Sequence, residues 1–273
     1  MEKSFHIHLV SDATGETLHS VARACLAQFE NVDPVEHVWS MIRTQSQMDR
    51  VAAAIATYPG IVLFTLVNNN FRQSLTEACR KLQVPCISVL DPVFVALSGY
   101  LGIEARGQPG RQHMLDAEYF GRIDAMHFAI AHDDGQMLDT MHQADVVLVG
   151  VSRTSKTPTC QYLANRGIKA ANYPLVPGVA PPHQILELKG VLVVGLTKDP
   201  ARLVQLRRNR VRMLNQNEET DYTDLERVKQ EVASARRLYS AQGWPVIDVT
   251  RRSIEETAAA IMQLIQQHRD KNA

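Results

Sequence analysis

Gly150-Val151-Ser152-Arg153-Thr154-Ser155-Lys156-Thr157 directly follows an apolar run, Ala144-Asp145-Val146-Val147-Leu148-Val149, and precedes a helix-compatible segment over residues 158–166. The apolar run reads as a buried strand. Strand, tight loop, Lys-Thr and helix form the setting in which a phosphate-binding P-loop works. The N–H groups of Gly150 to Thr157 would point inward at phosphate oxygens. The helix that follows adds its positive N-terminal end. In such a loop Lys156 reaches the terminal phosphate oxygens and the Thr157 hydroxyl ligands Mg²⁺. The usual pattern has a second glycine just before the lysine, and this chain has Ser155 there. The loop holds only if the backbone at Ser155 suits a side chain. The bland alternative is an ordinary strand–helix turn.

Outward from this loop, the chain alternates strand and helix. Strands are expected at residues 5–10, 35–42, 61–67 and 84–90, with helices at 14–29, 45–58, 71–83 and 93–101. Repeated units of this length imply a parallel sheet covered by helices on both faces. The near-continuous apolar strands agree, because parallel strands are buried on both sides. A polar loop punctuated by Gly and Pro follows at 104–113, then helical segments near 115–125 and 136–142. The second half repeats the logic, with strands at 168–172, 191–196 and 244–249 and helices at 200–214 and 223–242. A capping box, Ser253-Ile254-Glu255-Glu256, opens the last helix. The expected fold class is α/β: two α/β domains with mainly parallel sheets, 1–140 and 141–273, the second a P-loop kinase-like domain. No internal sequence repeat is visible.

Composition excludes several classes. Lys+Arg and Asp+Glu both total 29 in the 273 residues. No net field therefore draws the chain to nucleic acid or to an anionic membrane. The longest apolar runs are far shorter than a bilayer span requires. No leader pattern precedes the first strand. The four cysteines, Cys25, Cys79, Cys86 and Cys160, form no C-x-x-C pair and read as reduced thiols of a cytoplasmic protein.

Four other constellations bear on chemistry. Ser11-Asp12-Ala13-Thr14-Gly15-Glu16-Thr17 sits where the first strand passes into the first helix. It reads either as an anion site or as a plain helix cap. His132-Asp133-Asp134-Gly135 offers paired carboxylates that can hold Mg²⁺ or accept a hydroxyl proton, or else forms a turn. His6 and His8 share one strand face, and with no third ligand in view they read as surface or core residues. Arg202, Arg207, Arg208, Arg210 and Arg212 follow Thr197-Lys198-Asp199-Pro200; one or two of them are expected at a phosphate and the rest on a solvated face. Thr197-Lys198-Asp199 lacks the spacer residue of a guanine-specificity motif, which argues against a GTPase.

Taken together, these stretches resemble the pyruvate, phosphate dikinase / phosphoenolpyruvate synthase regulatory protein family. The matching segments are SDATGET (11–17), HDDG (132–135), GVSRTSKTPT (150–159), KAANYPLVPG (169–178), GLTKDP (195–200) and DVTRRSIEETA (248–258). The resemblance implies a bifunctional regulator. As a kinase it would move the β-phosphoryl group of ADP to a threonine of the dikinase or the synthase, leaving AMP. As a phosphorylase it would remove that phosphate with inorganic phosphate, forming pyrophosphate. It also implies that residues 150–157 hold the nucleotide. On that footing Lys156 stabilises transferred charge and Thr157 ligands Mg²⁺. Asp133 or Asp134 orients the threonine hydroxyl or the metal. The protein partner would be pyruvate, phosphate dikinase or phosphoenolpyruvate synthase, with residues 1–140 available for docking it. No nucleic-acid or membrane partner is expected, and a homodimer is compatible with the chain. A small-molecule kinase is the competing reading. The extra α/β half speaks against it, and a nucleotide sensor without catalysis is a third.

Overall fold

The computed structural model describes residues 3–104, 117–213 and 221–272. The expected polar loop at 104–113 lies, Glu104 apart, outside the described residues. The chain divides into two compact units, residues 1–114 and 115–273.

The first unit runs β1 (Lys3–Ser11), α1 (Glu16–Leu26), β2 (Val32–Trp39), α2 (Gln45–Thr57), β3 (Gly60–Thr65), α3 (Asn69–Lys81), β4 (Cys86–Ser88) and α4 (Asp91–Leu101). Its strands are parallel, in the order β2-β1-β3-β4. Alternation along β1 feeds both faces. Ile7 and Leu9 pack with Leu18 and Ala22 of α1, while Val10 joins Met48, Val51 and Ile55 of α2 on the other face. Burying each large aliphatic chain is worth about 1.5–3 kcal/mol. A reciprocal cap between Thr44 and Gln47 starts α2. None of the residues of α4 is buried.

His6 and His8 do share a face, and His37 of β2 joins them. His6 Nδ1 lies 3.0 Å from His37 Nε2, and the His8 and His37 rings stack at 4.5 Å. His8 is buried and bonded to the Tyr58 carbonyl at 2.8 Å. Burial holds the pKa values of His8 and His37 below the ordinary 6.5. Among the described residues no group of three His, Cys, Asp or Glu could hold a metal ion.

The second unit opens with α5 (Ala117–Ala131) and two short 3-10 turns, Asp133–Gly135 and Leu138–Gln143. Then come β5 (Val146–Gly150), α6 (Lys156–Ala164), β6 (Ala170–Pro174), α7 (His183–Leu186), β7 (Leu192–Thr197), α8 (Pro200–Met213), α9 (Leu225–Gln242), β8 (Val246–Asp248) and α10 (Ile254–Asn272). The strands are again parallel, in the order β6-β5-β7-β8, so both units share one wiring. Val146 and Leu148 of β5 pack against Leu163 of α6 and Ile261 of α10, whereas Val147 and Val149 meet Leu203 of α8 and Val228 of α9. Ala125 and Ala129 of α5 belong to the same cluster as Leu163. That packing ties α5 to the second sheet, and the division falls ahead of the boundary expected near residue 140.

Gly195 illustrates how the sheet accepts a helix. A Cβ there would stand 2.6 Å from the Tyr239 ring. Its absence lets Tyr239 of α9 lie flat on β7, its hydroxyl 3.2 Å from the carbonyls of both Val149 and Leu196. In this strand order successive connections leave β5 in opposite directions. The ligand crevice of such a sheet opens at the carboxyl ends of the two central strands. Here those are β5 and β7, ending at Gly150 and Thr197.

Candidate active site

The loop after β5 is shaped by its own side chains. Gly150 is required, because a Cβ would come within 2.6 Å of Thr154 Oγ1 and 3.0 Å of the Leu196 carbonyl. The Thr154 hydroxyl donates to the Val151 carbonyl at 2.9 Å, and Lys156 Nζ donates to the same oxygen at 3.2 Å. The loop thus curls around one carbonyl. Arg153 and Ser155 both adopt left-handed backbone angles, φ 73° and 64°. Ser155 therefore takes the conformation that glycine supplies in the usual pattern, at a cost of about 1–2 kcal/mol. The Ser155 carbonyl in turn accepts from the Thr159 hydroxyl at 2.7 Å. No side chain caps the start of α6. Pro158 has no N–H and the Thr159 N–H donates to the Ser155 carbonyl at 3.2 Å, so the backbone N–H groups of Lys156 and Thr157 are the ones in this turn that can meet an anion.

The paired carboxylates meet this loop. Asp133 Oδ1 accepts from the Thr157 hydroxyl at 2.9 Å and from the Asn172 side-chain amide. The Asn172 oxygen accepts from the backbone N–H of Asp134 at 3.2 Å. Asn172 is fully buried on β6, so it fixes both acidic residues relative to the sheet. His132 supports the turn from below, stacked on Phe128 at 3.7 Å and bonded to the Phe128 carbonyl. Asp134 is exposed, with its own backbone left-handed at φ 49°.

Lys156 is only 6% exposed. Burial lowers its pKa to about 8, against the upward pull of Asp134 and Asp133. The ammonium is thus present below about pH 8 and lost as the pH rises through that value. An anion bound beside it raises the pKa again. Binding of inorganic phosphate is therefore expected to take up a proton between about pH 8 and the ordinary 10.5. Calorimetry in buffers of different ionisation enthalpy reads this directly. Absence of a buffer dependence in that window would remove Lys156 from the phosphate.

Of the five arginines, Arg207 alone is buried, at 1% exposure. It forms a two-pronged pair with Glu231 of α9, at 2.7 and 3.2 Å, and donates to the carbonyl of Ser152 at 3.4 Å and that of Tyr222 at 3.1 Å. Tyr222 OH meets Ser152 Oγ at 2.9 Å. Arg207 is therefore a strut under the loop, its charge matched by Glu231. Arg202, Arg208, Arg210 and Arg212 are exposed. Lys198 stands at the same sheet edge, two residues beyond Leu196, the register partner of Gly150. Burial lowers its pKa, and Arg202 adds to that.

Asn172, Tyr222 and Glu231 were not singled out from the sequence. A signal for Arg207 did exist. It continues the stripe Leu203, Arg207, Val211 at helical spacing, all three buried. SDATGET lies in the first unit, where Ser11 Oγ accepts from Thr65 Oγ1 at 3.0 Å and Asp12 accepts from the Val67 N–H at 2.6 Å.

The donors present suit Mg²⁺. Thr157 and Asp133 offer hard oxygens side by side, and Mg²⁺ fills its remaining positions with water and substrate phosphate.

Comparison with known proteins identifies the family. Residues 7–262 match the family described as kinase/pyrophosphorylase. A protein of Paramagnetospirillum magneticum named "Putative pyruvate, phosphate dikinase regulatory protein" is 61% identical, over 98% of this chain and 86% of its own length. Proteins of the same name from Caulobacter vibrioides and Rhodospirillum rubrum are 55% and 56% identical, covering 98% and 96% of this chain and 85% and 95% of their own. A solved structure of a LacI transcriptional regulator from Lactobacillus brevis covers 90% of this chain and 98% of its own at a TM-score of 0.25 and 11% identity, too low to bear on the fold. With its loop, its paired carboxylates and these relatives, the chain belongs to the kinase/pyrophosphorylase family.

Proposed function

We propose that the protein is an ADP-dependent threonine kinase and a phosphate-dependent, pyrophosphate-forming phosphorylase that regulates pyruvate, phosphate dikinase in the cytoplasm. The observation that carries this reading is the hydrogen bond from Thr157 to Asp133. It joins the phosphate loop to the paired carboxylates across 24 positions of sequence. The second unit then works as a P-loop kinase-like domain. Residues 150–157 cradle either the β-phosphate of ADP or inorganic phosphate, so one pocket serves both directions.

In the forward direction the threonine hydroxyl attacks the β-phosphorus, the bond to the AMP oxygen breaks, and the hydroxyl proton leaves. In the reverse direction inorganic phosphate attacks the phosphothreonine phosphorus, releasing the free hydroxyl and pyrophosphate. Such transfers ask mainly for positioning and charge stabilisation. Lys156 supplies the cation. Asp133, held by Thr157 and Asn172, fixes the oxygen cluster that Mg²⁺ would share, and the ion when bound neutralises charge on the phosphates. Asp134, exposed beside Lys156, accepts the hydroxyl proton. Docking of the target is assigned to the first unit, where α4 presents Val93, Val95 and Tyr100 to solvent.

Incubation of the protein with purified dikinase and ADP labelled in the β-phosphate tests this reading. The label is expected on a threonine of the dikinase, with AMP formed in equal amount. Added inorganic phosphate is expected to return the label as pyrophosphate. Label on phosphoenolpyruvate synthase alone would change the target. Label on small metabolites, or binding without turnover, would overturn the function.

A further inference from the structure

Beside the phosphate loop runs a groove of about 1000 Å³, which begins at Val151 and Ser152. One wall is the proline-rich segment 174–181. The other is α9, including Gln230, Ser234 and Leu238. This space is far more than a phosphate needs and lies at the upper end for a small-molecule site. We propose that the groove seats an extended, uncharged and mainly apolar segment of the protein substrate, whose hydroxyl side chain is thereby presented at the phosphate loop. The proposal rests on the kinase reading above and deepens it by locating the acceptor.

Charge matching decides the occupant. Four charged side chains line the groove, and each is already matched. Arg207 is paired with Glu231 at 2.7 Å, and Arg227 with Asp221 at 3.1 Å. Among the described residues the groove thus has no uncommitted cation to meet the α-phosphate of a nucleotide. Nor does it offer a clear platform for a base. Its aromatic residue, Tyr222, has the Arg207 guanidinium over its ring at 4.6 Å and its hydroxyl bound to Ser152. The proline-rich wall instead presents Val176 and Val179, 54% and 59% exposed. Apolar side chains left in water next to a reaction centre gain most by meeting apolar side chains of a partner. The groove is continuous with the loop at Ser152, so a segment lying in it places one residue next to the transferred phosphate.

The test uses Val176→Asp and Val179→Asp, singly and together. Both sites are exposed, and the melting midpoint is expected to stay at the wild-type value. The double variant is expected to raise the KM for dikinase about tenfold or more, near 1.4 kcal/mol per factor of ten. The affinity for ADP, measured by calorimetry, is expected to stay unchanged. Loss of ADP affinity with an unchanged KM for dikinase would make the groove the nucleoside site and overturn the proposal. No change in either quantity would overturn it too. Direct association of dikinase with the protein separates this proposal from the kinase reading. A wild-type protein that binds dikinase through these two valines yet transfers nothing discards the reaction and keeps the groove. One that transfers normally while the double variant matches it keeps the reaction and discards the groove.

Discussion

Replacing Lys156 by alanine is expected to lower turnover in both directions by about 10²–10³-fold, the loss of roughly 3 kcal/mol of transition-state stabilisation. The ammonium is buried, donates to the Val151 carbonyl at 3.2 Å, and feels the charges of Asp134 and Asp133. Burial has already removed its water, so an arriving phosphate meets a cation that has little solvation left to lose. Fixed charge of this kind acts strongly because nothing must reorganise during the reaction. The two activities, measured separately, carry extra information. If one pocket serves both, ADP-dependent phosphorylation and pyrophosphate formation fall by similar factors. If only one falls, the reactions use different places. Near wild-type rates in both directions would remove Lys156 from the chemistry.

The second large effect is expected at Asp133. Changing it to asparagine keeps the size and the link to the sheet but removes the charge next to Thr157. The rate is expected to drop about 10²-fold or more, as for other deleted electrostatic contacts, while the chain still folds. The kinetic pattern distinguishes two roles. A fall in kcat at an unchanged KM for ADP means that Asp133 acts on the reacting groups or their metal. A raised KM with kcat kept means that it only holds the loop through Thr157. Activity within about threefold of wild type, less than a single kcal/mol, would leave the carboxylate without a role.

How far the sequence alone leads depends on how local each signal is. The loop is legible because strand, turn and helix lie within about twenty consecutive residues, and packing had only to confirm the context. The alternation of strands and helices is legible for the same reason, through the apolar runs. What was hidden is what depends on register. Nothing near His132-Asp133-Asp134-Gly135 announces Thr157, and Asn172 reads as one polar residue inside a strand until β6 is paired with β5. His37 joins His6 and His8 only because β2 lies beside β1. The division between units falls ahead of residue 140 because the helical segment expected near 115–125 packs its alanines under α6, a contact that no local pattern announces. Arg207 is the instructive intermediate case. Its spacing from Leu203 and Val211 is a sign of burial that the sequence reading of five alike arginines passes over, and only the structure supplies Glu231 and shows that the charge is spoken for.

Ser155 and Arg153 carry one more consequence. A glycine in either place would adopt the same curve without strain, but it would leave a slacker ring that each incoming phosphate must freeze. Here the chain accepts that penalty once, as it folds, through side-chain bonds to Val151 and Ser155 that hold the curve. A mould set in advance loses little motion when it is filled, so under the proposed function one opening would admit first a nucleotide tail and later a bare orthophosphate without being rebuilt between them.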